Sequence, residues 1–301
     1  MTASTPHSLL SVAAGLRPLA CAAVLWVTSI VIASAQQDFS KVEIKATPVA
    51  GNIQMLEGAG GNIGVSTGPD GVLMVDDQFA PLAEKINAAI EKMESGPIKY
   101  LLNTHWHGDH TGGNPYFGKK ASVVAHANVR KRMAGKADTS KEALPVVTFD
   151  DTVSVHFNGE EIRLIHLGPG HTDGDTIVHF TKSGVVHMGD LFFNGRFPFV
   201  DLGSGGDVGG LLKNVETAVK TLPDDVKIIP GHGALATKAD LVKFQEMLVE
   251  TTDLVRKALS EGKSVAEVKA AGLPEKFKSW GGGFINASRW LEISYNSLSK
   301  K

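Results

Sequence analysis

The chain has 301 residues, a formal net charge of −2 at pH 7, 43% hydrophobic residues and 21% charged residues. That length is ample for burying a core as one large domain or two small ones, and the composition is that of a globular protein. The near-neutral balance argues against nucleic acid or an anionic membrane as partner, leaving a small-molecule substrate as the expectation.

The first 35 residues read as a signal peptide. They contain no acidic residue and only Arg17 as a side-chain cation, with an apolar stretch over 19–32 leading into Ala33-Ser34-Ala35. About 15 apolar residues is short for a membrane span and normal for a signal-peptide core. The expectation is therefore export to the periplasm or beyond, with a mature domain over 36–301 and no membrane attachment after cleavage. Cleavage also removes Cys21, the only cysteine, so neither a disulfide nor a thiolate metal ligand is available to the mature chain.

Beyond a polar start, short strands are expected at 42–44, 53–56, 60–65 and 71–75, the last ending in Asp76-Asp77. Over 81–93, Leu82, Ile86, Ala89, Ile90 and Met93 recur at helical spacing until Gly96-Pro97 stops the helix. Strands follow at 98–102, 122–125, 152–157, 162–167, 176–180, 185–188 and 226–229. A short basic helix over 128–133 is read as a solvated face, and a longer helix covers 208–222. The tail is helical over 238–259, 265–271 and 287–298, with Gly281-Gly282-Gly283 as a flexible connection before the last helix. No internal repeat or linker interrupts the chain.

The strand at 98–102 runs into His105-Trp106-His107-Gly108-Asp109-His110, three imidazoles and a carboxylate in six residues. Such a cluster suits borderline divalent cations better than a core. If the segment is extended, alternate side chains project to opposite sides and one motif feeds two adjacent metals. Other strand-like runs end in Met188-Gly189-Asp190 and Pro230-Gly231-His232, and Gly168-Pro169-Gly170 precedes His171. Strands lying side by side bring these groups to one rim. His126, His156, His166, His179 and His187 lie within or beside strands without ligand partners and are read as structural.

The His-x-His-x-Asp-His motif, followed by His171, Asp190 and His232, resembles the metallo-β-lactamase superfamily from about Ile53 to beyond His232. The resemblance implies an α/β fold, a four-layer αββα sandwich. It implies two Zn2+ ions, with iron or manganese as other candidates. His105, His107 and His171 would hold the first metal and Asp109, His110 and His232 the second, with Asp190 bridging them as in glyoxalase II-like hydrolases. Asp76 would support the site from behind. The implied function is that of an exported dinuclear zinc hydrolase, in which a metal-bridging hydroxide, held in line by Asp109, cleaves an amide, ester or thioester.

The segment from Gly189 to Phe199 departs from the lactamases that place a lysine soon after a cysteine ligand, since no lysine lies between Lys182 and Lys213. It looks more like exported members named for quinoprotein relay systems. Trp106, Asn194 and Arg196 are further candidates for the substrate site: Trp106 lines its mouth or packs against the sheet, and the aromatic loop 192–199 forms a hydrophobic wall with Arg196 gripping an anion, or else packs over the core with Arg196 solvated. The alternative on the same fold resembles persulfide dioxygenases, with His105, His171 and Asp190 holding a single iron.

Overall fold

The computed structural model describes residues 38–93 and 95–300, so the expected signal segment lies outside the described residues. The first sheet is seven-stranded, in the order β1 (Lys45–Ala50), β2 (Ile53–Glu57), β3 (Ile63–Gly68), β4 (Gly71–Val75), β5 (Ile98–Leu102), β6 (Ser122–His126) and β7 (Val147–Phe149). The second is six-stranded, in the order β13 (Ala236–Thr237), β12 (Lys227–His232), β11 (Val185–Phe193), β10 (Ile177–Phe180), β9 (Glu160–Ile165) and β8 (Thr152–Phe157). Pairing is parallel from β4 to β7 and between β11 and β12, and antiparallel elsewhere. The helices are α1 (Ala83–Glu91), α2 (Gly108–Thr111), α3 (Asn114–Phe117), α4 (Ala127–Ala134), α5 (Val208–Thr221), α6 (Lys238–Ser260), α7 (Val265–Ala271) and α8 (Ala287–Leu298).

Side-chain alternation along the strands builds the expected four layers. Leu73 and Val75 of β4 face the second sheet and meet Phe180, Val185 and Ile229 in an apolar seam. Val72 and Met74 point the other way, onto Ile86 and Ile90 of α1. Likewise Val186, Met188 and Ile228 leave the seam for Leu211 and Val215 of α5, Phe244 of α6 and Trp290 of α8. A strand covered on both faces must be apolar at every position, and all five residues of β4 are buried. Among the described residues no helix is long and apolar enough to cross a membrane.

Several element boundaries differ from the sequence expectation. Residues 42–44 are not a strand; pairing begins with Lys45 opposite Glu57. Gly60 and Gly61 stay outside β3, and Gly61 N–H instead donates to the Asp109 carbonyl at 3.0 Å. β11 does not stop at 188 but continues to Phe193, and β12 takes in Pro230 to His232. The basic helix α4 is tethered as well as solvated. Arg132 makes a bidentate pair with Asp173 at 2.6 and 2.7 Å, and Arg130 donates to the Pro145 carbonyl.

Candidate metal centre

The C-terminal ends of β4, β5, β11 and β12 open onto one rim between the sheets, the usual location for ligands in parallel α/β sheets. β5 delivers His105, but the motif does not continue as an extended chain. His107, with β-region dihedrals, is the residue from which α2 starts, and Asp109 and His110 ride on that single turn. The switch from bend to helix, not strand alternation, sends the two halves of the motif in different directions. His171 sits on the turn between β9 and β10. Asp190 lies inside β11 just after Gly189, whose φ is +50°, and His232 closes β12.

Two groups of potential ligands result, each with ligand atoms within 4.8 Å of one another: His105, His107, His171 and Asp190, then Asp109, His110 and His232. Asp190 belongs to both by geometry. Its Oδ2 stands 3.3 Å from His171 Nε2 and 3.8 Å from His105 Nε2. Its Oδ1 stands 3.1 Å from His110 Nε2 and 3.3 Å from His232 Nε2. Asp109 Oδ2 lies 3.4 Å from His232 Nε2 and 3.7 Å from His110 Nε2. His107 joins the first group through Nδ1, 2.8 Å from His171 Nε2.

The far nitrogens are held from behind. His110 Nδ1–H donates to Asp76 at 2.7 Å, His107 Nε2–H to Asp201 at 3.0 Å and His171 Nδ1–H to the Phe199 carbonyl at 2.6 Å. His105 Nδ1 is 3.1 Å from Thr104 Oγ1, whose own hydrogen goes to Asp76. With each far nitrogen acting as donor, the inward nitrogen is left with a free lone pair, the form that ligates metal. Asp76 also accepts from Thr104 N–H, and does so from a left-handed backbone with φ of 62°.

Burial pushes His105 well below its ordinary range and lowers His171 to about 4, against the pull of Asp190. Burial also opposes charge on His110 and His232, but the Asp190 and Asp109 carboxylates outweigh it. They hold His110 well above its usual value and His232 at about 9. Asp190, though buried, is kept well below the carboxylate range by His232, His110 and His171 around it. His105 Nε2 is buried without a hydrogen-bond partner, and Asp190 Oδ1 has only the inward imidazole nitrogens of His110 and His232 beside it. Orphaned donor atoms aimed into a set of imidazoles and carboxylates fit a divalent cation, which would satisfy them. Close approach shapes the pocket too: a Cβ on Gly61 would overlap the His110 ring, and one on Gly231 would overlap Asp190.

All seven ligand candidates and Asp76 come together. The lining candidates do not behave alike. Trp106 packs beside Val129 and Met133 with Lys136 Nζ 4.3 Å above its ring. Asn194 donates to the Ala234 carbonyl at 3.0 Å, bracing the turn after β12. Arg196 is exposed and lies against Gly283. His187 bonds the Asn62 carbonyl, and His126 stacks on His166 at 4.1 Å, in keeping with structural roles. Sequence reasoning missed Asp201, whereas the aromatic loop over 192–199 does line the site: Phe193 stacks on His232 at 5.1 Å and Phe199 lies 5.8 Å from His171.

Fold and site together define a class: αββα proteins with a His/Asp metal centre on the rim between two sheets. The family model described as the metallo-beta-lactamase superfamily matches residues 47–232, more than half of the chain, and the chain belongs to that superfamily. Among curated relatives, a hydroxyacylglutathione hydrolase of Polaromonas sp. (strain JS666) is 30% identical over 184 residues, covering 58% of this chain and 66% of that protein. A metallo-beta-lactamase type 2 of Bacteroides fragilis is 28% identical over 151 residues, covering 49% of this chain and 58% of that one. The chain thus spans two thirds or less of the length of these relatives. In fold it is similar to the metallo-beta-lactamase from Pontibacter korlensis, with a TM-score of 0.61, 17% identity, and coverage of 68% of this chain and 99% of that one. It is also similar to a double mutant of the sec-alkyl sulfatase PisA1, with a TM-score of 0.67, 15% identity, and coverage of 85% and 50%.

Proposed function

We propose that this protein is an exported, dinuclear zinc hydrolase of a small-molecule amide, ester or thioester. The observation that carries the reading is Asp190, a single buried carboxylate with one oxygen turned to each ligand group. His105, His107 and His171 would hold one cation, Asp109, His110 and His232 the other, and Asp190 would span them. Imidazole and carboxylate donors without sulfur suit zinc while also accepting iron or manganese. Bound divalent cations polarise a carbonyl and lower the pKa of a water molecule.

The chain supplies the rest. Asp76, Asp201 and the Phe199 carbonyl fix the imidazole directions, so no reorganisation accompanies the reaction. Phe193 and Phe199 exclude water from one wall. Asp109, with its side chain 26% exposed, would help hold the second cation and orient an attacking water from the solvent side. The hydroxyacylglutathione hydrolase and metallo-beta-lactamase relatives make thioesters and β-lactams the first substrates to try. The apolar leader ending in Ala33-Ser34-Ala35 supports export to the periplasm.

The test is metal analysis of purified protein together with a hydrolysis panel of nitrocefin, a lactone, an aryl ester and a glutathione thioester. Two zinc ions per chain and chelator-sensitive turnover are expected, with His105→Ala and Asp190→Ala inactive but folded. Full activity in chelator would sink the proposal. One iron per chain with oxygen consumption would replace it with the dioxygenase reading.

A further inference from the structure

Phe284 is 91% exposed, while the next most exposed large apolar side chain among the described residues, Val146, reaches 68%. A phenyl ring left in water forgoes the free energy of its burial, which a ligand seated against it would recover. The ring is displayed by local construction. Gly281-Gly282-Gly283 precede it, and Ile285 directly after it is 3% exposed, sunk in the core beneath the second sheet. The base of the segment is fastened: Phe197 N–H donates to the Trp280 carbonyl at 3.0 Å, and the Phe197 ring stacks on Trp290 at 6.3 Å.

What Phe284 touches is the metal centre's own wall. Its ring meets Phe199 edge-on, with centroids 6.3 Å apart. Phe199 in turn lies 6.1 Å from His107 and 5.8 Å from His171. A line of rings therefore runs from the metal-facing imidazoles of the first group out to solvent.

We infer that Phe199 and Phe284 form an apolar subsite that selects substrates carrying an aromatic or bulky alkyl group next to the bond being cleaved. The inference rests on the reading of this rim as an active site. A small polar acyl group leaves the Phe284 ring in water, whereas an aryl group laid across the exposed sides of both rings buries its own face and part of theirs in offset or edge-on contact.

Zinc-loaded protein is titrated calorimetrically with benzyl mercaptan and with 2-mercaptoethanol, two thiols of which only one carries a ring. Wild type is expected to prefer benzyl mercaptan. Phe284→Ala should weaken that thiol about fivefold, the worth of one aromatic contact, and leave 2-mercaptoethanol within about twofold. Phe284→Tyr should restore the preference. In parallel, Phe284→Ala should raise KM for a phenylacetyl thioester while sparing the acetyl thioester. No preference in wild type, or equal changes for the two thiols, overturns the subsite. Loss of self-association in Phe284→Ala with unchanged thiol preference reassigns the ring to an interface between copies. If the thiol preference behaves as expected but no thioester is hydrolysed, the subsite stands and the hydrolase reading fails.

Discussion

The two ligand groups are oriented by different anchors, and that difference can be measured. Asp76 reaches the second group directly, through His110 Nδ1, and the first only by way of Thr104 Oγ1 beside His105, while Asp201 reaches the first group directly, through His107 Nε2. Removing an anchor of this kind lowers metal affinity by about 10- to 100-fold. Asp76→Ala is thus expected to weaken the second metal more than the first, and Asp201→Asn to weaken the first more than the second. Competition with a chromophoric chelator, read as two separate dissociation steps, checks both; equal weakening of the two steps in either variant contradicts the assignment. Gly231→Ala belongs to the same scale. Its Cβ would stand where Asp190 Oδ1 now lies, so the variant should lose the shared carboxylate's geometry. Turnover and stoichiometry should fall together in metal analysis while the far-UV spectrum stays unchanged.

Single elements carry loads that their sequences announce unevenly. The ligands were legible because imidazoles crowded at strand ends have few other uses, and Asp76 because the resemblance to the superfamily implied an acid at the end of that strand. Asp201 was not legible: it lies in a glycine-rich loop 94 residues from the ring it holds, and no local pattern marks such a pairing. The α2 turn was hidden too, since four residues are too few to show a helical period. Arg132, read as a solvated side chain, instead ties α4 to the loop that carries His171, where Asp173 N–H also donates to the Ser204 carbonyl. Arg132→Met should cost about 1 kcal/mol in urea unfolding, a half-buried bidentate pair being worth more than an exposed one. No change would return Arg132 to the solvent.

The same loop holds a pH-dependent term. Asp175 is buried and raised to about 7, chiefly because burial penalises its charge, against hydrogen bonds from Thr172 N–H and Oγ1. A carboxyl that titrates higher in the fold than in the unfolded chain adds stability that is fully present below about 4. That stability is lost as pH rises through about 7. Asp175→Asn cannot ionise, so the advantage of wild type over the variant should shrink between those limits. Urea unfolding of both proteins at several pH values reads this directly, and a constant difference would show that Asp175 titrates no higher in the fold than in the unfolded chain.

At the scale of the whole molecule, the candidate ligands divide between the sheets. His105 to His110 follow β5 of the first, and His171, Asp190 and His232 belong to the second. Metal binding would therefore clip the two sheets together at one rim, while the seam of Leu73, Val75, Phe180 and Ile229 joins them behind it without any ion. The two joints predict separable behaviour. Chelation should leave secondary structure and cooperative unfolding intact, because the apolar seam does not depend on the rim. It should nonetheless lower Tm, because free metal at about 100 times its Kd stabilises the folded state by about 2.7 kcal/mol. For a domain of this size that corresponds to a fall of roughly 5–10 °C, and it should be larger in buffers that compete less for the metal and so leave more of it free. Calorimetry with and without chelator measures the fall. In Asp190→Ala, where the carboxylate shared by both groups is gone, the difference between metal-loaded and stripped protein should shrink toward that of a single site. If stripping the metal unfolds the chain outright, the rim rather than the seam holds the sheets together.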